Sequence, residues 1–128
     1  MHLLRKGILA ILSLMACTTL AQQSQVFSCS FQDDLRGAST VRMKKYFSET
    51  EKMTLGKIDL LTNQEVTSSS ATKVYEFPVW DSQDYVQVWY AKDVRVDATL
   101  NYSQSRREFA ATLTRENAQH RLLCREQQ

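Results

Sequence analysis

Apolar and polar residues alternate along most of this chain, most cleanly at residues 93–102. There Val94, Val96, Ala98, Leu100 and Tyr102 interleave with Asp93, Arg95, Asp97, Thr99 and Asn101. Strict period two predicts a half-buried strand, because successive side chains of a strand point to opposite faces. On a helix the same order would scatter the apolar groups around the whole circumference.

Stretches 26–31, 40–47, 53–61, 72–79, 84–91, 108–114 and 119–125 repeat the theme. Phe27, Cys29 and Phe31 share a face in the first; Val41, Met43 and Phe47 do so in the second, with Lys45 falling on their parity. Two readings fit Lys45, a lysine in a barrel mouth or one whose aliphatic stem carries its head to water. In 53–61 the phase changes around Gly56, with Met53 and Leu55 before it and Ile58 and Leu60 after it, which predicts a bulge at the glycine. Pro78 predicts a strand end or an edge. In 84–91, Val86, Val88 and Tyr90 take one face and Tyr85, Gln87 and Trp89 the other. The valines are read as core-facing, which puts Tyr85, Gln87 and Trp89 outside. Residues 62–71, which include Ser68, Ser69 and Ser70, have no apolar period and read as a polar loop, either a connection or a binding loop.

Eight short strands without a helical pattern predict an all-β domain: a small up-and-down antiparallel barrel, or alternatively a β-sandwich. With an even number of strands in up-and-down order, the first and last run antiparallel, and pairing them closes a barrel without exposed edges.

The first residues follow a different pattern. Arg5 and Lys6 precede an uncharged, mostly apolar run at 7–16, the layout of a secretory signal peptide. The run is shorter than the roughly 20 residues a transmembrane helix needs. Thr19 and Ala21 place small residues where signal peptidase requires them, so the expected organisation is a signal at 1–21 and a single domain at 22–128. The alternative is a lipoprotein signal at 1–16, since Leu14-Met15-Ala16-Cys17 resembles the bacterial lipobox with Cys17 as the lipidated residue. Either cut leaves Cys29 and Cys124, and an even pair in an exported chain predicts a disulfide joining the first strand to the last.

Charge narrows the class of partner. The chain carries a formal +2, but removing Arg5 and Lys6 leaves fourteen basic residues against fourteen acidic ones. A domain without a basic surplus does not read as a nucleic-acid binder. Charged residues such as Arg42, Lys44, Arg95 and Asp97 on the polar faces also argue against a membrane-spanning barrel, which is apolar outside.

Candidate chemistry is sparse. Asp33 with Asp34, and Asp81 with Asp84, lack the glycine and distal glutamate of a calcium loop and read as turn residues. Beyond Ala21 the single histidine is His120, and no Gly-x-Ser-x-Gly elbow occurs, so neither an enzyme nor a cofactor or metal is expected. Asn101-Tyr102-Ser103 fits a glycosylation acceptor that matters only in a eukaryotic host. The distinctive feature is aromatic. Trp80, Tyr85 and Trp89, with Gln87 among them, form the candidate binding surface for an envelope protein or a glycan.

The layout of signal, compact eight-stranded barrel and terminal disulfide resembles that of small envelope β-barrels that inhibit lysozyme. The Ser-Gly-x-x-Tyr-type loop that those inhibitors share does not occur in this sequence. The function expected is therefore a non-catalytic binding or inhibitor module of the bacterial envelope, periplasmic, secreted or lipid-anchored. The alternatives are a small-ligand carrier using the barrel interior, and a hydrolytic enzyme.

Overall fold

A computed structural model describes residues 24–33, 38–102 and 108–127. The expected signal peptide at 1–21, with Cys17 in it, and Asp34 lie outside the described residues. Eight strands follow in chain order: β1 (Ser24–Phe31), β2 (Ser39–Ser48), β3 (Met53–Thr62), β4 (Glu65–Pro78), β5 (Asp84–Tyr90), β6 (Val94–Asn101), β7 (Glu108–Arg115) and β8 (Ala118–Gln127). Each pairs antiparallel with the next, and β1 pairs with β8, so the sheet closes into an up-and-down barrel. The sandwich alternative falls away with that closure. Among the described residues no helix is long and apolar enough to cross a membrane.

Cys29 and Cys124 face each other directly across the β1–β8 seam and are bonded, both buried inside the barrel. Tight turns set the register elsewhere. Asn63-Gln64 and Glu116-Asn117 join β3 to β4 and β7 to β8, and all four residues have positive φ. Two consecutive positive-φ residues match the twist of a two-residue hairpin, and asparagine tolerates that conformation better than most residues.

The segment expected to be a polar loop is instead the first part of β4. Asn63-Gln64 turns the chain, and the ladder runs from Thr62↔Glu65 with an irregularity at Leu60/Leu61. Its serines are strand residues with partners: Ser69 donates to Asp59 at 2.6 Å and Ser70 to Asp93 at 3.2 Å. A strand with polar residues on both faces carries no apolar period, which is why its first half reads as loop.

The bulge expected at Gly56 is absent. Gly56 pairs in register with Lys45 on one side and Thr72 on the other. Met53 and Leu55 therefore share the outward face with Lys57, while Gly56 and Ile58 point inward with partly buried Leu60 packed on the core. The glycine is needed for space. A Cβ at this position would lie 2.6 Å from Trp89 Cζ3 and 2.7 Å from Thr72 Oγ1.

Trp89 is the largest fully buried side chain, and it overturns the facing expected for β5. Gln87 and Trp89 point into the barrel, both fully buried, and Val86 and Val88 point outward. Cross-strand neighbours fix this choice. Trp89 lies opposite Val74 and Val96, and Gln87 lies opposite Glu76 and Ala98, all on the inner face. Outside, Val86 and Val88 lie opposite Phe77 and Tyr75. Burying one indole outweighs leaving two valines half-exposed, because the tryptophan removes far more apolar surface from water. Around the indole, Phe27 packs edge-on against Trp89 and against Phe109, at centroid distances of 6.2 and 5.2 Å. The interior is a filled core rather than a lumen.

On the outer face, Asp59 is a buried carboxylate. Arg42 donates to it at 3.0 Å and Ser69 at 2.6 Å, with Lys57 at 3.9 Å. Burial alone would raise its pKa, but the Ser69 and Arg42 hydrogen bonds and the charges of Lys57 and Arg42 prevail and hold it below the ordinary carboxylate value. A carboxylate with a depressed folded pKa adds stability above its unfolded pKa and loses it as pH falls through the folded value. Asp59→Asn is therefore expected to cost about 1–3 kcal/mol near neutral pH. In urea unfolding, the gap between variant and wild type should close as pH falls below about 4. A gap that stays constant down to pH 2 would contradict this account.

Candidate functional site

Chain direction divides the barrel into two ends. One gathers the β2–β3 and β4–β5 hairpins, the start of β1 and the end of β8; the other gathers the β3–β4, β5–β6 and β7–β8 turns. The aromatic residues left in solvent concentrate around the first end. Trp80, at 96 % exposure, is the most open of the large apolar side chains, and Phe77, Val79, Tyr102 and, on the β2–β3 hairpin, Phe47 are exposed at the same end.

Trp80 sits on a braced turn. Val79 N donates to the Asp84 carbonyl at 3.0 Å, Asp84 N donates to Ser82 Oγ at 2.9 Å, and Asp81 takes a positive φ. Tyr102 N donates to the Gln83 carbonyl at 2.8 Å, tying this hairpin to the end of β6. Asp81 and Asp84 thus serve the turn, and Asp84 also accepts from Asn101 at 2.6 Å. These bonds order the backbone of the turn, so the entropy of fixing the chain there is already spent before any partner covers Trp80.

Tyr85 lies just inside this rim, half-buried, its ring stacked on Tyr102 at 4.3 Å with 26° between planes. Burial pushes its hydroxyl above the ordinary tyrosine pKa, and the charges of Glu76, Tyr102 and Glu126 add to the rise. Tyr85 therefore presents a neutral phenol at the mouth. Below it runs a chain of polar contacts. Trp89 Nε1 donates to Gln87 Oε1 at 2.8 Å, Gln87 Nε2 to Glu76 Oε2 at 2.8 Å, and Lys45 Nζ to Glu76 Oε2 at 3.1 Å. Lys45 thus faces inward at the mouth with its charge paired, and the apolar parity of its position is genuine.

The four residues expected to form one binding surface are therefore split. Trp80 is on the surface and Tyr85 on the inner rim, while Gln87 and Trp89 are core and cannot touch a partner in the closed barrel. The other large apolar residues accessible at that end are Phe77, Val79, Tyr102 and Phe47. One sequence signal could have found them: Pro78-Val79-Trp80 puts apolar bulk at a strand end and into a turn, where polar residues are the rule.

His120, the lone candidate for catalysis, lies at the opposite end on β8. Its ring meets Phe31 edge-on at 5.6 Å, and Nδ1 is 3.7 Å from Asp33 Oδ2. No family model, no curated protein and no solved structure matches this chain.

Proposed function

We propose that the protein is an exported, non-catalytic binding module that engages a protein of the bacterial envelope through the aromatic end of its barrel. The observation that carries this reading is Trp80, 96 % exposed on a braced hairpin and accompanied by exposed Phe77, Val79, Tyr102 and Phe47. Aromatic anchors that are rigid before binding make the strongest contributions to protein interfaces. Exposed phenylalanine and valine beside them favour a protein partner over a glycan, which needs polar groups flanking each stacking ring. The disulfide is in keeping with export to an oxidising compartment. The packed interior leaves the carrier reading without a central cavity to act through.

The test compares partners recovered from envelope extract by wild type, by Phe77→Ala/Trp80→Ala and by Tyr90→Ala, whose exposed ring lies toward the opposite end. We expect the double variant to weaken capture by roughly 30-fold or more, as loss of an interface anchor worth 2 kcal/mol or more does. Tyr90→Ala should bind as wild type does. Equal recovery by all three would overturn the assignment, and release by soluble glycans alone would move it from protein to glycan.

A further inference from the structure

The opposite end of the barrel holds a second, chemically different feature. A cup of about 510 Å³ opens there, lined by Phe31, Leu60 and Leu113 with Arg115, His120 and Asp33 among the polar groups. That volume lies in the range of small-molecule sites, and barrel mouths are among the places where such sites occur. The cup stands above the packed core, since Leu113 is buried there.

Strand geometry aims Arg115 into this cup. It is the last residue of β7, two positions after Leu113 and therefore on the same inward face. The Glu116-Asn117 turn that follows fixes where β7 ends. Three arginines of the barrel wall are neutralised: Arg42 bonds Asp59, Arg95 bonds Asp97 and Arg125 bonds Glu108, at 2.9–3.0 Å; Arg121 of β8 has no such pair among the described residues, but it stands exposed on the outer wall. Arg115 is half-buried, yet among the described residues it has no ion pair and no hydrogen bond. The acid of the cup, Asp33, is largely exposed and lies 3.7 Å from His120 Nδ1, and it makes no ion pair with Arg115. A partly desolvated guanidinium without a counter-charge favours an anion that can take its paired donors, and a carboxylate does so in bidentate fashion.

We infer that the cup at the β7–β8 turn binds a small monocarboxylate with an apolar body, its carboxylate on Arg115 and its acyl or aryl portion against Phe31, Leu60 and Leu113. The apolar lining distinguishes this ligand from inorganic anions, which gain nothing from it. The site shares no residue with the aromatic end, so either reading can fail without the other.

Octanoate is the probe. Titration followed by isothermal calorimetry should show saturable binding to the disulfide-bonded protein, below the concentration at which octanoate forms micelles. We expect 1-octanol and inorganic phosphate to bind at least tenfold more weakly. Arg115→Gln should weaken octanoate by about 10- to 100-fold, the worth of charge-assisted hydrogen bonds. Arg115→Lys should recover part of that loss, and Phe77→Ala/Trp80→Ala none of it should incur. Far-ultraviolet circular dichroism and thermal melting confirm that each variant keeps the barrel. No saturable octanoate binding, equal binding of octanol, or an unchanged affinity in a folded Arg115→Gln protein would each overturn the inference.

Discussion

Removing the Cys29–Cys124 bridge should cost the barrel about 4–5 kcal/mol, the largest single loss expected from any change outside the core packing. The two cysteines are 95 positions apart, so the bond closes a loop containing nearly all of the domain. In the chain-entropy account, reduction returns that conformational freedom to the unfolded chain, and the cost grows with the logarithm of loop length. The folded side changes little by comparison. β1 and β8 pair over six positions, from Val26↔Gln127 to Phe31↔Leu122, a ladder that should persist without the bond. Cys29→Ala/Cys124→Ala should accordingly lower the free energy of urea unfolding while leaving the far-ultraviolet spectrum of the remaining folded population unchanged. A loss below 1 kcal/mol would mean that the seam is held by packing and hydrogen bonds, with the disulfide incidental.

Trp89 is the second pressure point, and Gly56 makes it testable as a pair. Trp89→Ala empties the centre of the barrel and should cost about 3–5 kcal/mol, the usual range for deleting a buried large aromatic. Gly56→Ala works from the other side. Its new methyl would stand 2.6 Å from the indole, which is fully buried and has nowhere to move, so overpacking should cost about 1–3 kcal/mol. The two losses share one cause and should not add. In the Trp89→Ala background the extra methyl enters vacated space, so Gly56→Ala should be neutral or stabilising there, giving a coupling of 1 kcal/mol or more in a double-mutant cycle by urea unfolding. Additive losses would show that the glycine serves something other than room for the indole.

Strand count, antiparallel order and the terminal bridge are legible in the sequence because each rests on a local signal. Val94 to Tyr102 alternates without error, and Cys29 and Cys124 fall on the inner parity of the first and last strands. Facing is less legible, because parity gives two faces without saying which is inside. In β5 the choice between two valines and a Gln–Trp pair rests on the cross-strand neighbours and on Gly56, some thirty residues away, whose missing Cβ leaves room for the indole. The same long-range fact undoes the bulge expected at Gly56. Where both faces of a strand are polar, as in the serine-rich start of β4, period two vanishes and only the Asn63-Gln64 turn marks the strand.

The candidate site follows the same division. Trp80 is readable as a surface residue because it sits in a turn, whereas Gln87 and Trp89 were grouped with it through parity alone. Phe47 shows the converse. It shares the inward parity of Val41 and Met43, yet lies one residue before the strand's end, where the barrel stops and an inward side chain reaches solvent. Arg115 gave no signal of its own, since an arginine beside a turn is ordinary; its significance lies in its place in the cup, where among the described residues no carboxylate pairs with it.

The central claim is that the aromatic end of the barrel is where a partner protein sits. Photo-crosslinking in intact envelopes tests it most directly, with a benzophenone side chain placed in turn at positions 80 and 90. A discrete protein adduct from position 80, lost when Phe77→Ala is added and absent from position 90, is the predicted result. No adduct from position 80, or the same adduct with equal yield from position 90, would contradict it.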